Sequence, residues 1–294
     1  MELSNSSNWS SFFYNSKENN NKNNSSKLKK FKSMNFSIRR GTESFGPEFF
    51  YLPNKYWKIE KKTKKFVEIF NSYSNLTLEI PNQFLIPGII RTKPNTKKIT
   101  LEHHDFFMSI PPLVLDKLPV PIQKYIEWGS TLDLAVKKHS FSQKNPWYSF
   151  LFNQLQRKSF FGNLLLIRKL RLNTMSVIAH FNPKNLPASK AYYIIQCPKP
   201  FEKIIVAWLN STYFLKHMSN SRRRISDNWG ELMISDILEL ECVDPTQMDK
   251  KSIHTLENIF DKLSSQELPN ILEQEGHAIK KLLDEAIIKL KILS

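Results

Sequence analysis

Cysteine and glycine are both scarce in this sequence: Cys197 and Cys242 are the only thiols, and seven glycines are spread over 294 residues. Two distant cysteines outside any CxxC or Cys/His grouping make neither a disulfide framework nor a zinc site, so both read as small buried apolar residues. No two glycines stand in a G-x-G arrangement, so the Gly-rich turn after a strand that admits the methyl donor of an amino-group methyltransferase is missing. Long apolar runs are missing as well. Stretches such as Leu164 to Ile167 fall far short of the roughly 20 residues that cross a bilayer. The polar N-terminus lacks the basic-then-apolar layout of a secretory signal, so no membrane partner and a cytoplasmic location are expected.

Carboxylates are too few and too scattered for a metal-dependent nuclease. The nearest approach is Pro53-Asn54 followed by Glu60 and Lys62; the key Asp is absent, and a solvated face is the simpler account. His103 and His104 are neighbours, which would put them on opposite faces of a strand instead of converging on one ion. Asn145-Pro146-Trp147-Tyr148 is reminiscent of the segment that grips a flipped base in amino-group methyltransferases. Trp147 stands where the second Pro belongs, however, and no apolar strand precedes it.

Positive charge is what the chain has in excess. Lys and Arg number 43 against 27 Asp and Glu, a net charge of +16. The excess is segregated: residues 231 to 294 hold 13 acidic and 7 basic side chains, so residues 1 to 230 carry 36 basic against 14 acidic. A surface of that kind attracts polyanions through counterion release, although compositional drift toward Lys and Asn is the bland alternative.

Residues 1 to 33 form an Asn-, Ser- and Lys-rich tract, expected to be mostly disordered. Its aromatic patch, Trp9, Phe12, Phe13 and Tyr14, could dock on a neighbour. From Phe36 to Ile110 short β-rich runs, such as Phe49 to Leu52, Leu76 to Ile80 and Phe84 to Ile90, are broken by Gly and Pro and read as strands. Val120 to Trp128 suits a short amphipathic helix. Phe160 to Ile167, Leu170 to Phe181 and Ala191 to Cys197 read as successive strands. Pro200 opens a predicted helix over Phe201 to Met218, with Phe201, Ile204, Ile205, Trp208 and Leu209 on one face. Two helices follow Cys242, one striped by Ile253, Leu256, Phe260 and Leu263, the other by Ile271 to Ile287. The predicted fold class is α/β (α+β): mixed, mostly antiparallel strands with packed helices, divided into a tail (1–33), a recognition unit (34–245) and a C-terminal helical pair (246–294).

Three basic clusters are candidates for DNA contact: Arg39 and Arg40 before the Gly41 turn; Arg157, Lys158, Arg168, Lys169 and Arg171 around the central strands; and Arg222, Arg223 and Arg224 in the loop expected after the Trp208 helix. Phosphate contact needs cations on a rigid frame, and base contact needs groups that reach a groove. Any one cluster alone suits a solvated face. With Trp147, Tyr148 and Trp229 interleaved, the set favours nucleic acid.

Four segments carry a resemblance in chain order. Arg40 to Leu52, RGTESFGPEFFYL, is similar to the RGIKTGANEFFYL segment that opens the C-terminal specificity regions of adenine-specific DNA methyltransferases of restriction-modification type. Phe45 replaces a Gly there, and Pro47 an Asn. Lys124 to Gly129 resembles the family's KYIxxGE segment, and Trp147-Tyr148 its WY pair. Ala207 to Thr212 looks like its AxLNSS/T helix, and Ile234 to Leu240 its VxDLxxL segment. The resemblance covers about Phe36 to Pro245 and excludes the catalytic half. It implies a target-recognition domain for double-stranded DNA, partnered by a methyltransferase catalytic domain or subunit, with S-adenosylmethionine bound there and no cofactor in this chain. A restriction endonuclease specificity subunit and a nonfunctional remnant of a split gene remain the alternatives. Asn210 and Ser211 are expected to be scaffold, hydrogen-bonded to the backbone of the following loop.

Overall fold

The computed structural model describes residues 27–90, 97–101, 105–170, 174–221, 223–226, 229–274 and 276–290. The aromatic patch at 9–14, His103, His104, Arg171 and Arg222 lie outside the described residues. In chain order the elements are β1 (Leu28–Lys30), β2 (Ser37–Arg40), the single turn α1 (Pro47–Phe50), β3 (Tyr51–Leu52), β4 (Trp57–Lys62), β5 (Phe66–Asn71), β6 (Leu76–Pro81), β7 (Leu85–Gly88), β8 (Asp105–Met108), α2 (Val120–Ser130) and α3 (Phe150–Leu155). Then come β9 (Leu164–Ile167), β10 (Lys169–Leu170), β11 (Ala179–Phe181), β12 (Tyr192–Gln196), α4 (Glu202–Leu209), α5 (Thr212–Ser221), β13 (Arg223–Ser226), β14 (Trp229–Glu231), α6 (Ile234–Glu239), β15 (Glu241–Val243), α7 (Lys250–Ser264) and α8 (Ala278–Lys289). The fold is mixed α/β, and every ladder between these strands is antiparallel.

The central sheet has the order β11-β9-β12-β2. All four residues of β9, LLLI, are buried, because both faces of this strand are covered and the usual in-out alternation disappears. Its core takes in α4, α5, α7 and α8, with Phe31, Ile194, Trp208, Phe260 and Leu283 among its buried residues. A second core is built from residues between Phe49 and Leu155. It joins the three-stranded sheets β3-β8-β7 and β4-β5-β6 to α2 and α3. The chain thus leaves the first core after β2, returns to it at Ile89 and Ile99, and re-enters it for good at β9.

Several expectations are revised. Leu28–Lys30, inside the tract expected to be disordered, pairs with β15, and Phe31 behind it is 1% exposed; the Leu-Lys-Lys-Phe pattern was too short to stand out from its polar surroundings. Phe49 and Phe50 close a helical turn started by Pro47 and are not part of a strand. The helix expected over 201–218 is two helices, interrupted at Asn210-Ser211. The first of them is not one-faced, since every residue from Ile204 to Leu209 is buried, between β11, β15 and α7. Both helices expected after Cys242 are present as α7 and α8. Their apolar stripes lie in the first core.

Two glycines are required by close backbone approach. A Cβ on Gly41 would lie 2.2 Å from the Ser189 carbonyl oxygen. Gly41 is therefore no turn: its N–H donates to Tyr192 O at 3.0 Å, continuing β2 along β12. A Cβ on Gly129 would meet the Phe49 ring at 2.4 Å. Phe45, at a position where the resembling segment carries Gly, has a φ of 49°, the left-handed region that favours glycine.

Candidate nucleic-acid interface

Arg39 and Arg40 lie on β2, the end strand of the central sheet, opposite Ile194 and Tyr193. The Arg39 guanidinium stacks 4.4 Å from the Phe160 ring centroid, and its Nε is buried with no hydrogen-bond partner among the described residues. Phe160 closes the turn that begins with Arg157 and Lys158, both exposed. The fold therefore joins the first sequence cluster to part of the second through a cation-π contact, which fixes a planar cation without neutralising it.

Arg40 is answered by acid. Its Nη2 stands 3.4 Å from Glu43, and Lys190 approaches the same carboxylate at 2.6 Å. Arg168, at the step between β9 and β10, has its Nε 3.5 Å from Glu231 on β14. Between these pairs sits Tyr193, whose hydroxyl donates to Leu232 O at 2.7 Å. Burial raises the Tyr193 pKa, while Arg168 and Arg40 oppose that shift. Arg168 is thus met by one carboxylate, while Arg40 and Lys190 share another.

Arg223 and Arg224 were expected in a loop. They lie instead on β13 of the sheet β10-β14-β13. In that sheet Lys169 is opposite Glu231, and Glu231 is opposite Arg223, so residues from two sequence clusters share one cross-strand row. Leu232 N–H donates to Arg168 O, which ties this small sheet to the end of β9.

Trp147 and Tyr148 do not join the cations. Trp147 packs 4.6 Å from Phe49 between ring centroids and under Lys137, whose Nζ is 5.2 Å from its centroid. The Tyr148 hydroxyl donates to Leu113 O, and both residues belong to the second core. Tyr148 is buried in that core and partly buried Trp147 packs against it: a W-Y pair is as useful to a core as to a groove.

Asn210 is scaffold, but its partners precede it. Its Oδ1 accepts from the Ile178 and Ala179 N–H groups at 3.2 and 3.3 Å, and its Nδ2 donates to Ala179 O and Val206 O at 2.8 and 2.9 Å. Ser211 Oγ accepts from Phe214 N–H at 3.1 Å, starting α5. Asn54, in the fragment considered above for a nuclease, organises a turn: it donates to Glu48 O and Tyr51 O and accepts from Tyr56 and Trp57 N–H. Among the described residues no group of three or more His, Cys, Asp or Glu could hold a metal ion, and no helix is long and apolar enough to cross a membrane. Cys242 is fully buried, and burial pushes the Cys197 thiol up to about 12. A cavity of about 440 Å³ lies between α5 and α8, bounded by Thr212, Leu215, Ile271, Gln274, Lys280 and Asp284.

No protein-family model matches the sequence, and no curated protein matches it. Among solved structures the chain is similar to the crystal structure of the type IIG restriction endonuclease BpuSI, at 14% identity and a TM-score of 0.48, over 90% of this chain and 31% of that one. The chain spans less than a third of that enzyme's length, and a likeness at this level leaves its function to be argued from its own residues.

Proposed function

We propose that this chain binds duplex DNA sequence-specifically, as the target-recognition part of an adenine-specific DNA methyltransferase of restriction-modification type. Methyl transfer from S-adenosylmethionine belongs, in this reading, to a separate catalytic domain or subunit. One observation carries the DNA reading: cations far apart in the sequence are brought onto the same small sheet or against the same ring. Arg39 stacks on Phe160, which closes the turn of Arg157 and Lys158, and Lys169 and Arg223 flank Glu231 in one row. Cations on a rigid β-frame are what phosphate contact requires, and the net charge of +16 supplies the long-range attraction. The recognition-domain reading rests further on the ordered resemblance. Its Gly41 and Gly129 occupy positions where a side chain would collide, and its L-N-S segment occupies a helix break.

The test is a titration with random duplex DNA over a salt series, with S-adenosylmethionine binding followed by calorimetry in the same preparation. The expected result is salt-sensitive DNA binding without cofactor binding, and selection from a random duplex pool should then enrich one motif. Failure to bind duplex at low salt would overturn the reading, and cofactor binding would overturn the assignment of catalysis to another unit.

A further inference from the structure

A run of exposed lysines outside all three clusters makes no ion pair among the described residues. Lys55, Lys58, Lys61, Lys62, Lys64 and Lys65 are all exposed, and none makes an ion pair among the described residues. Arg40, Arg168 and Lys190 are each met by a carboxylate. The six lysines belong to β4, its approach and the β4–β5 turn, at one side of the meander β4-β5-β6.

The frame beneath them is rigid. Trp57, Ile69 and Ile80 are fully buried and hold the meander to the second core. Thr63 closes the turn: its Oγ1 accepts from Phe66 N–H at 2.9 Å and donates to Phe66 O at 2.8 Å, and Asn82 Nδ2 donates to Thr63 O at 3.0 Å. The register slips by one residue at Glu60, so Lys58 and Lys61, opposite Phe70 and Glu68, fall on the same face of the sheet. Lys62 falls on the other, with its Nζ 4.8 Å from the Phe106 ring centroid. Glu68 and Glu79 share the row of Lys61. Lys58, Lys62, Lys64 and Lys65 have no such neighbour in register.

Lysines on an exposed edge strand also discourage sheet-to-sheet pairing, and β4 is an edge strand. Lys64 and Lys65 sit in the turn and guard no edge, so that role does not account for them. We infer that the β4–β5 hairpin is a second contact to the DNA phosphate backbone, separate from the surface around Arg39 and Arg157. This inference rests on the duplex-binding reading. From Lys58 to Lys61, on one face, the strand covers roughly 10 Å at about 3.3 Å per residue, comparable to the axial rise of about three phosphates of one strand.

The experiment compares the parent chain with K61Q/K62Q/K64Q/K65Q and with R157A/K158A, measuring duplex affinity from low to moderate salt. The hairpin variant should lose at least tenfold in affinity, with its salt slope reduced by about three to four. An unchanged slope in the hairpin variant, with weakened binding in R157A/K158A, would overturn the inference and leave the DNA reading standing. Absence of duplex binding by the parent would overturn both. An unchanged slope accompanied by self-association of the variant would assign the lysines to edge protection and overturn the inference. Lysine acetylation of the unaltered chain with and without duplex keeps the test independent of the variant's folding: protection of Lys61 to Lys65 by DNA is expected, and equal labelling would sink the proposal.

Discussion

Lys280 on α8 donates a hydrogen bond from its buried ammonium to the main-chain oxygen of Asn210, where α4 stops and α5 begins. A helix end leaves carbonyls without intrahelical partners and carries partial negative charge. A cation from a distant helix meets that end here, while the Asn210 side chain holds the edge of β11. The break in the long helix expected from the sequence is thus fixed from both sides.

Burial pushes the Lys280 pKa down from 10.5 to about 8, with Asp284 opposing the shift. Below about pH 8 the buried site holds a charge that the unfolded chain hydrates better. Between about 8 and 10.5 the unfolded state binds more protons, so stability rises with pH there. Relative to Lys280→Met, the parent should gain roughly 3 kcal/mol across that window. Urea unfolding of both proteins at pH 7 and at successive values up to 10 measures it, and parallel stability curves would contradict the expectation.

Asn210→Ala should cost about 2–4 kcal/mol, because it strands two N–H groups of the strand edge and the buried Ala179 carbonyl. Asn210→Asp keeps the acceptor but loses the donor, and should also destabilise. Chemical denaturation followed by tryptophan fluorescence reads both, since Trp208 lies on the helix that Asn210 ends.

Gly41→Ala and Gly276→Ala should separate two kinds of glycine. The first forces a Cβ against the Ser189 backbone at 2.2 Å and should cost more than about 3 kcal/mol or abolish folding. The second has φ of +79° with nothing within 4 Å, so only backbone strain of about 1–2 kcal/mol is at stake. Thermal melts by circular dichroism suffice, and equal effects would refute the close-approach argument.

Among the cationic candidates, R157A/K158A should lower the salt slope of duplex binding by about two, one phosphate contact per removed cation. Arg168→Ala should lower it less, because Glu231 already answers that charge. Trp147→Phe should leave DNA affinity within twofold while reducing stability, since Trp147 packs on Phe49. Loss of DNA affinity in the Trp147 variant would return that residue to the interface.

Much of the fold was readable as local pattern. Apolar runs at Leu164 to Ile167 and at Tyr192 to Gln196 announced the central strands, and the stripes of α7 and α8 announced two helices. Those signals depend on nearest neighbours along one element. What escaped the pattern depended on partners remote in sequence: the pairing of Leu28–Lys30 with β15, the interruption at Asn210, and the burial of α4 on every side. The site divides in the same way. Arg39, Arg157 and Lys158 were marked by charge, yet the stacking of Arg39 on Phe160 was not visible, and neither was the hairpin, whose lysines are interspersed with Glu60 and Thr63 and form no run of arginines.

Charge is a sum over residues, and hydrophobic period is a property of single elements, so the sequence by itself determined that the chain is cationic, mixed α/β and poor in glycine. Which cations remain available to a polyanion is a matter of distance between side chains from different elements. Tertiary structure alone decided that Glu43 and Glu231 answer Arg40, Lys190 and Arg168, that Trp147 and Tyr148 belong to a core, and that the lysines of the β4–β5 hairpin stand without ion pairs among the described residues, because Coulomb attraction falls with separation in space and not with separation along the chain.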